Sequence, residues 1–480
     1  MIKFEKDFDK IKGKIILKGE LRLLTPLIIG AGNGEGKTQS GQESNVDSLV
    51  LKDNDDCPFI PATSLAGVLK NALTDFRDGK IANADELAAI FGTEDSRKEN
   101  PAKELELQSS LTLYDITLNN TKTIVRDGVA IDPVTGTAIE GHKFDFEAVE
   151  RGASGTFEAV FTRRGFHDRL DPKPLLEKLK KLLLSGFRVG ARTTSGFGLV
   201  RIDKLTIDEY DFAVPEDTRA YLAVPERLPA KKSKSLTAGK SIVCGENDFA
   251  VELEFALNHS LIVRSYDLAN IKKQSGSNTH VDAVSLRSGD DFLIPGSSVK
   301  GVLRHQAGYI LRQLAYSPEK AAALINTIFG FTDEKDKQKK AKGHLLADEI
   351  IFAPSLVEEV NQSRNRIDRF TGGTIDSALF SEQALWQKDT DKALGTLRFV
   401  LQKPTDEQIG LLLFVLKDIW CGKVAFGGEK SIGRGFVHGL KATVSDRGRL
   451  YTIEKDKPAA PETTEALEKY AKALHKQEVA

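Results

Sequence analysis

The sequence predicts an α+β fold that is built twice along a chain of 480 residues. The first observation is a repeated motif, because the segment that contains Asp47 and Gly67 returns about 235 positions later around Asp282 and Gly301. The second is the apolar pattern of each copy, which changes between the period of a strand and that of a helix. A tandem duplication explains both observations, and a domain of this size lies in the usual range.

Further matches follow in the same order in both halves. AIFGTED returns as TIFGFTDE, VAIDPVTGTA as NRIDRFTGGT, and VGARTTSGFGLV as VAFGGEKSIGRGFV. We therefore expect a first domain at 1–208, a linker rich in Pro, Ser and Lys at 209–247, a second domain at 248–450 and a solvated C-terminal helical tail at 451–480.

The elements of the first copy follow from its periodicity. GKIILKGELRLLTPLIIG alternates as a half-buried strand does, and SLVL and CPFI predict a second strand pair. SLAGVLKNALTDF predicts a helix after Pro61, with Thr63 or Ser64 as its N-cap. LTLYDITL and GTFEAVFTRRG predict two more strands, and PLLEKLKKLLLSGF predicts the second helix. Strand, helix, strand, strand, helix, strand is the ferredoxin-like order, and the second copy restarts at DFAVELEFALNHSLIV.

Composition excludes several classes of protein. Hydrophobic residues at 40% and charged residues at 29% are typical of a soluble globular protein. No apolar segment reaches the roughly 18 residues of a membrane helix, and the N-terminus has no signal-peptide core, so we expect a cytoplasmic protein with no membrane partner. Cys57, Cys244 and Cys421 lack disulfide or zinc spacing and are expected to be small buried residues.

Charge leaves a nucleic-acid partner open. The net charge is −1, but the stretch from Arg163 to Lys204 contains eleven basic and four acidic residues. A solvated amphipathic helix accounts equally well for the lysines in this stretch. Arg188 and Arg192 lie beyond that helix, beside glycines, where a basic groove is the better interpretation.

Each copy also contains a candidate phosphate-binding helix start. A Pro-led start follows the loop aspartate, and the backbone N–H groups of such a start favour an anion such as phosphate. A glycine one turn into each helix permits a ligand to approach the helix backbone closely, and a basic residue follows one turn later. Ordinary capping and helix-to-sheet packing remain the alternative. The residues expected to bind RNA here are Ser64, Gly67, Lys70, Ser297, Ser298, Lys300, Gly301 and Arg304.

Two glycine-rich loops form a further candidate surface. A Gly-x-Gly pair is common and weak evidence alone, but a neighbouring basic side chain suits contact with a phosphate backbone. The loop residues expected to bind RNA are Arg192, Gly196, Gly198, Lys430, Gly433, Arg434 and Gly435.

These motifs together resemble the RAMP superfamily backbone subunits of type III CRISPR effector complexes. The resemblance is carried by IPGSSVKGVLR, IFG, GVAIDPVTGTAIEGHKFDFEAV, NRIDRFTGGTIDSALF and the glycine-rich loops, and it covers most of both copies. Two such domains in one chain are most similar to the fused double backbone subunit of a type III-D variant. The resemblance implies ferredoxin-like (RRM-like) palms that bind a guide RNA, a target RNA and other subunits of an antiviral complex.

The resemblance also implies a β-hairpin thumb in each copy, which displaces a nucleotide of the guide–target duplex. The thumbs would be AIDPVTGTAIEGHKFDFE and RIDRFTGGTIDSALF. Alternatively, Phe144 and Phe146 are plain strand core, and Asp132 and Asp368 cap tight turns. The thumb residues are Asp132, Thr135, Lys143, Phe144, Asp368, Arg369 and Thr371.

By the same resemblance, Asp47 and Asp282 cut the target RNA, which makes the chain a metal-dependent endoribonuclease. An exposed carboxylate is a poor general base at neutral pH, so each Asp is better suited to bind Mg²⁺ or Mn²⁺ while a ribose 2′-OH attacks its own phosphate. His280 precedes Asp282, but Asn45 occupies the corresponding place in the first copy, so we interpret His280 as incidental.

Two other functions remain open. The first is a non-catalytic scaffold that binds guide RNA, in which neither aspartate takes part in cleavage and each caps the strand that follows it. A stand-alone nuclease that processes precursor guide RNA typically uses a catalytic histidine, and the eight histidines include no pair at matching positions of the two copies.

Overall fold

A computed structural model describes residues 7–31, 46–74, 84–93, 107–132, 137–223, 232–239, 247–265, 281–332, 336 and 339–475. The chain divides into two compact units, one comprising Met1–Thr193 and Phe197–Val243 and the other Thr194–Gly196 and Cys244–Ala480. Both units combine helices and strands, which confirms the predicted α+β class and the tandem organisation. None of the helices in the described ranges is long and apolar enough to span a membrane.

The first unit contains four helices and ten strands within its described residues. The helices are α1 Ala62–Thr74, α2 Ala84–Phe91, α3 Lys173–Ser185 and α4 Pro215–Leu222. The strands are β1 Ile11–Leu23, β2 Phe59–Ile60, β3 Leu111–Leu113, β4 Ile116–Thr117, β5 Thr123–Ile131, β6 Ala138–Val149, β7 Ser154–Arg164, β8 Phe187–Arg188, β9 Leu199–Asp211 and β10 Lys232–Thr237.

An antiparallel sheet in the order β9–β1–β7–β3 organises this unit, and β10 pairs with the outer edge of β9. Leu17 and Leu21 of the central strand are fully buried because alternate residues of a strand face the same side. Leu65, Leu69 and Leu73 recur at every fourth position of α1 and belong to the same core. Helix and sheet therefore share one apolar interior.

The second unit repeats this plan. Its helices are α5 Gly296–Gln313, α6 Pro318–Phe329, α7 Asp406–Trp420 and α8 Pro461–His475. Its strands are β11 Phe249–Leu257, β12 Ser260–Leu261, β13 Arg264–Ser265, β14 Val284–Ser285, β15 Arg287–Ser288, β16 Asp291–Ile294, β17 Gly330–Thr332, β18 Lys340–Lys342, β19 Leu345–Ala347, β20 Ile350–Phe352, β21 Val357–Arg364, β22 Phe380–Gln387, β23 Gly395–Leu401, β24 Val437–Asp446 and β25 Arg449–Glu454.

The main sheet of the second unit has the order β19–β23–β11–β24, with β25 at the outer edge of β24. Numbered along the chain, the four core strands of either unit lie in the order second, third, first, fourth. Within the described residues, two helices lie between the first and second core strands in each unit, and one α-helix lies between the third and fourth. The repeated sequence therefore folds into a repeated topology.

A β-hairpin leaves each unit between the second and third core strands. We call the pair β5 and β6 the first hairpin and the pair β21 and β22 the second hairpin. The first hairpin begins with Thr123 opposite Val149 and its pairing shifts between Val129 and Ile131, whereas the second pairs without a shift from Val357 opposite Gln387. Both hairpins include the segments that the sequence predicted to be thumbs.

The structure differs from the expected linker at 209–247. The strand β9 continues to Asp211, α4 follows, and β10 pairs with β9 so that Lys232 lies opposite Glu209. The composition KSKSLT suggested a loose segment because an edge strand with mostly exposed side chains needs no apolar alternation.

The C-terminal helix α8 also differs from the expected solvated tail. Tyr470 and Leu474 are fully buried in the core of the second unit. Gly410 of α7 permits this contact, because a Cβ at that position would lie 2.2 Å from the carbonyl oxygen of Tyr470. Of the cysteines expected to be buried, Cys57 is half-buried, Cys421 is exposed, and Cys244 lies outside the described residues.

Candidate nucleic-acid interface

The hairpins hold the two repeated aspartates in the same way. The backbone N–H of Asp145 donates a hydrogen bond of 2.8 Å to Oδ2 of Asp47. In the second unit the backbone N–H of Ser381 donates one of 2.7 Å to Oδ2 of Asp282. In both units the residue after the aspartate forms a parallel bridge with the next residue of the hairpin strand, Ser48 with Phe146 and Ala283 with Glu382. Each aspartate is therefore fixed to the second strand of its hairpin, opposite Asp127 in the first unit and Ser363 in the second.

The two aspartates differ in exposure and surroundings. Asp47 is exposed, whereas Asp282 is half-buried. Lys143 Nζ lies 3.7 Å from Asp127 Oδ2 and 3.9 Å from Asp145 Oδ1, so two further carboxylates lie near the first site. Burial raises the pKa of Asp127, an effect that Lys143 opposes. Asn45 and His280, which precede the two aspartates, lie outside the described residues.

The number of carboxylates at each site limits the kind of cation that could bind there. No group of three or more His, Cys, Asp or Glu side chains within the described ranges is arranged to hold a metal ion. A magnesium ion often takes only one or two protein carboxylates and completes its shell with water and phosphate oxygens. A single anchored carboxylate at each site is chemically compatible with that kind of cation.

One face of the first long helix in each unit is open. Among the residues that the structure describes, none lies within 4 Å of a Cβ added at Gly67 or Gly301, and both glycines are exposed. Helix-to-sheet packing therefore does not require either glycine. The exposed residues at every fourth position are Thr63, Gly67 and Asn71 on α1 and Ser297, Gly301 and His305 on α5. This stripe lets an outside ligand approach the helix backbone.

The N-terminal ends of α1 and α5 differ from the capping expected from sequence, which placed Thr63 or Ser64 at the N-cap of the first helix. The helix α1 begins at Ala62, before Thr63 and Ser64, and the Ala62 N–H donates a hydrogen bond of 2.7 Å to Oδ1 of Asp115. An acidic side chain therefore occupies this helix end, which reduces its capacity for phosphate. The helix α5 begins at Gly296 after Pro295, with no side-chain cap. Within its first turn Ser297 is exposed and Ser298 is half-buried.

Three cations lie together beside the open face of α5. Arg304 donates to the carbonyl oxygen of Gly330 at 2.8 Å and to Asn326 Oδ1 at 3.4 Å, and both acceptors are uncharged. Burial, followed by the charges of Arg304 and Lys342, lowers the pKa of Lys300 to about 8. In the described part of the chain none of the three cations forms an ion pair, so the cluster favours an anion. Lys70, the counterpart of Arg304 in the first unit, is half-buried.

The backbone conformation of the two repeated loops requires glycine at specific positions. Gly198 and Gly435 have φ of 76° and 79°, and a Cβ at either would lie 1.9 Å from the carbonyl oxygen of Val189 or Phe426. No other residue fits such a contact. Gly196 and Gly433 also have positive φ, of 93° and 88°. The backbone conformation of these loops therefore fixes the positions of the basic residues next to the glycines.

Those basic neighbours have different environments. The guanidinium of Arg192 lies 4.5 Å from the ring centres of both Phe144 and Phe146 and remains exposed. Arg434 is buried and donates to Glu382 at 2.7 Å, which places it in an internal ion cluster and differs from the expected surface contact. Lys430 is exposed.

The hairpin tips combine turn geometry with exposed side chains. Oδ1 of Asp368 accepts hydrogen bonds of 2.8 Å from the N–H groups of Phe370 and Thr371, so Asp368 caps its turn. Those bonds lower the pKa of Asp368. The Asp132 N–H donates to Thr137 O at 2.9 Å. Arg369, Thr371 and Phe370 are exposed in the second hairpin, Phe370 by 99%.

In the first hairpin Lys143 is exposed, and Thr135 lies outside the described residues. Phe146 is buried while Phe144 is half-buried, so the pair forms part of the hairpin core. The alternative interpretation of these phenylalanines as strand core therefore describes Phe146 best.

Sequence reasoning missed several residues of the site. Asp115 reaches the helix start from 53 positions away, and Lys342 comes from a separate hairpin, so no local pattern reveals either. Glu382 and Glu429 form the internal ion cluster with Arg434. A signal existed for Glu429, because it stands where Arg192 stands in the repeated loop.

Comparison with known families agrees with the repeated topology. A family model described as the RAMP superfamily matches two regions of the chain, residues 20–201 and 241–438. No curated protein matches the chain.

Proposed function

Because the chain belongs to the RAMP superfamily, whose model matches both units, we propose that it is a guide-RNA-binding backbone subunit of a type III CRISPR effector complex. Membership of the family itself supports a CRISPR-associated RNA-binding subunit. The proposal adds the type III assignment, a complementary target RNA and neighbouring subunits of an antiviral complex, with Mg²⁺ or Mn²⁺ as cofactor.

The core strand order, which both units share, supports a ferredoxin-like palm in each. The hairpin that leaves each palm between its second and third core strands would be the thumb. Its exposed tip in the second unit, with Arg369 and Phe370, combines a cation with an aromatic ring, which suits contact with nucleic acid.

Guide-RNA binding is supported by the open helix faces. At Gly67 and Gly301 a ribose-phosphate backbone can approach the helix closely, and Lys300, Arg304 and Lys342 supply positive charge beside the second of these faces. Contacts to phosphate and to backbone N–H groups do not read bases. The subunit would therefore accept guides of any sequence.

The observation that carries the catalytic part is the matched anchoring of Asp47 and Asp282 by backbone N–H groups of their hairpins. A carboxylate anchored to the second strand of the thumb would lie where a target strand meets the thumb. The ribose 2′-oxygen would form a bond to its neighbouring phosphorus while the 5′-oxygen leaves with a proton, giving a 2′,3′-cyclic phosphate and a 5′-hydroxyl. A divalent cation held by Asp47 or Asp282 would supply charge stabilisation at the phosphate.

The same anchoring favours one competing function. A carboxylate that ties a loop to a hairpin has a structural role without any chemistry, so a scaffold with two silent aspartates is the second candidate. The experiment is cleavage of a complementary target RNA by the assembled complex that contains Asp47→Ala together with Asp282→Ala. Loss of both cuts with guide and target still bound supports the nuclease function. Cleavage at the wild-type rate rejects it and supports the scaffold function instead.

A further inference from the structure

The two repeats share an unusual backbone conformation at one position. Arg192 and Glu429 occupy equivalent places in the repeated glycine-rich loops, and both have left-handed φ, 55° and 60°. Such a conformation is uncommon for residues other than glycine, asparagine or aspartate and persists where the surroundings impose it. The backbone is the same in both units, but the two side chains have opposite charge.

In the first unit this position contributes to an aromatic clamp. Arg192 lies over Phe144 and Phe146 of the first hairpin, and the ring of Phe146 lies 5.7 Å from that of Phe197 in an edge-to-face arrangement. The ring of Phe144 lies across Gly128 of the facing strand, where a Cβ would come within 2.1 Å of it. Cation–π and aromatic contacts therefore fix this part of the first hairpin.

In the second unit the same position contributes to an ion clamp. Glu429 accepts hydrogen bonds from Arg264, at 2.6 Å, and from Arg364, and it forms an ion pair of 2.8 Å with Arg434. Glu382 of the second hairpin, which is fully buried, accepts from Arg434 at 2.7 Å and from Arg264 at 3.1 Å and also pairs with Arg364. Three guanidiniums and two carboxylates thus join the loop, β13 and both hairpin strands.

Each clamp acts on the residue next to the one that anchors the aspartate. Glu382 follows Ser381, whose N–H binds Asp282. Phe146 follows Asp145, whose N–H binds Asp47. A shift of Glu382 or Phe146 therefore moves the donor of the neighbouring aspartate.

We propose that Glu429 is a positioning residue for Asp282 and Arg192 a positioning residue for Asp47, each acting through the second strand of its hairpin. The two sites are then held by different chemistry, ionic in the second unit and aromatic in the first. The part of this inference that concerns cleavage rests on the proposed function, whereas the part that concerns hairpin position does not.

The clamp of the second unit contains a titratable carboxylate, Glu382. Glu382 faces Arg264 from β13, Arg364 from β21, and Arg434 and Glu429 from the loop before β24. Burial raises the pKa of Glu382, so it takes up a proton at a higher pH than an exposed carboxylate does. Protonation removes half of the negative charge of the clamp. Phe146, its counterpart in the first unit, does not titrate.

Hydrogen exchange measured by mass spectrometry at one pH tests the positioning directly. Glu429→Gln should speed exchange at least tenfold in peptides covering 281–285 and 380–387 and leave 46–50 and 144–149 unchanged. Arg192→Gln should do the reverse. No change in either variant, or equal change in both hairpins, overturns the proposal.

Cleavage supplies a second readout in the assembled complex with a complementary target RNA. Glu429→Gln should slow the Asp282-dependent cut at least tenfold with target affinity unchanged, and Arg364→Lys should retain more of that cut because it keeps the charge. If Glu429→Gln fails to fold, Arg192→Gln still decides, because it should lower the ratio of the Asp47-dependent to the Asp282-dependent product. A constant ratio contradicts the proposal. Changed hydrogen exchange with no cleavage at either position would instead reject the nuclease function and leave the positioning intact.

Discussion

Oδ2 of Asp47 accepts a hydrogen bond of 2.8 Å from the backbone N–H of Asp145, so the carboxylate has a structural partner as well as a proposed chemical role. Asp47→Asn separates these roles, because an amide oxygen still accepts that bond while the negative charge is lost. We expect the first cut to slow by roughly 100-fold or more, the scale on which losing one stabilising group acts. Product analysis on a complementary target RNA measures this.

The exposed Asp290 offers a matched control, since Asp290→Asn also removes one negative charge but lies in a turn of the other unit. It should leave both cuts unchanged. Unimpaired cleavage by Asp47→Asn combined with a slow cut in Asp47→Ala would mean that Asp47 acts only by tying its loop to the hairpin.

Gly301→Ala should weaken RNA binding and at the same time stabilise the protein. Alanine replaces glycine in a helix interior with a gain of about 0.5–1 kcal/mol, and nothing within 4 Å of the new Cβ opposes it. The methyl group would stand in the path of an approaching phosphate backbone. Fluorescence anisotropy with labelled guide RNA and urea unfolding measure the two effects.

Gly308 lies in the same helix and serves as the control. A Cβ there meets only Arg312 NH1, at 3.6 Å, so Gly308→Ala should give a similar gain in stability with unchanged RNA affinity. Equal RNA affinity in the two variants would exclude the open face of α5 as a binding surface.

RNA affinity should fall as the pH rises from 7 to 9. Lys300 has a pKa of about 8, so it is charged at pH 7 and mostly neutral at pH 9, where it no longer attracts phosphate. The expected loss is up to about tenfold at constant ionic strength. Lys300→Arg keeps its charge throughout this range and should remove the decline. Identical pH profiles for both proteins would show that Lys300 does not contact the RNA.

Tyr470→Phe should destabilise the second unit. The Tyr470 hydroxyl donates a hydrogen bond of 2.6 Å to Oδ2 of Asp446, which is buried, and burial together with this bond raises the pKa of Tyr470. Removing the donor leaves a buried carboxylate poorly solvated, at a cost of about 1–3 kcal/mol. Both tryptophans, Trp386 and Trp420, belong to this unit, so their fluorescence during urea unfolding reports the change.

The exposed Tyr309 provides the comparison, because Tyr309→Phe removes a hydroxyl from the same unit without leaving a buried acceptor unpaired. It should shift the unfolding midpoint little. A Tyr470→Phe midpoint that coincides with that of Tyr309→Phe would mean that α8 contributes nothing through this bond.

The repeat made much of the fold predictable from sequence. Strands such as β1 and β11 contain alternating apolar and polar residues over part of their length, and the offset between Asp47 and Asp282 identifies equivalent residues. Local sequence patterns did not predict the strand β10 or the packing of the C-terminal helix α8. The strand β10 lies at the sheet margin with exposed side chains, and α8 covers α7 by contacts whose partners are far apart along the chain.

The candidate site shows the same division. The placement of Gly67 and Gly301 on helices follows from local periodicity, so it could be predicted. The capping of Ala62 by Asp115 and the burial of Arg434 against Glu382 depend on tertiary pairing. A basic residue next to glycines indicates a phosphate contact in sequence, but only the fold reveals that carboxylates already neutralise Arg434.

The opposite charges of Arg192 and Glu429 also bear on how the duplicated gene can change. Unequal recombination between the two halves, which tends to make repeats alike, would produce hybrids that carry the loop of one copy with the hairpin of the other. An arginine at the position of Glu429 would face three guanidiniums, and a glutamate at that of Arg192 would face two phenylalanine rings. Such hybrids would fold poorly, so divergence at this one position protects the two halves from being homogenised.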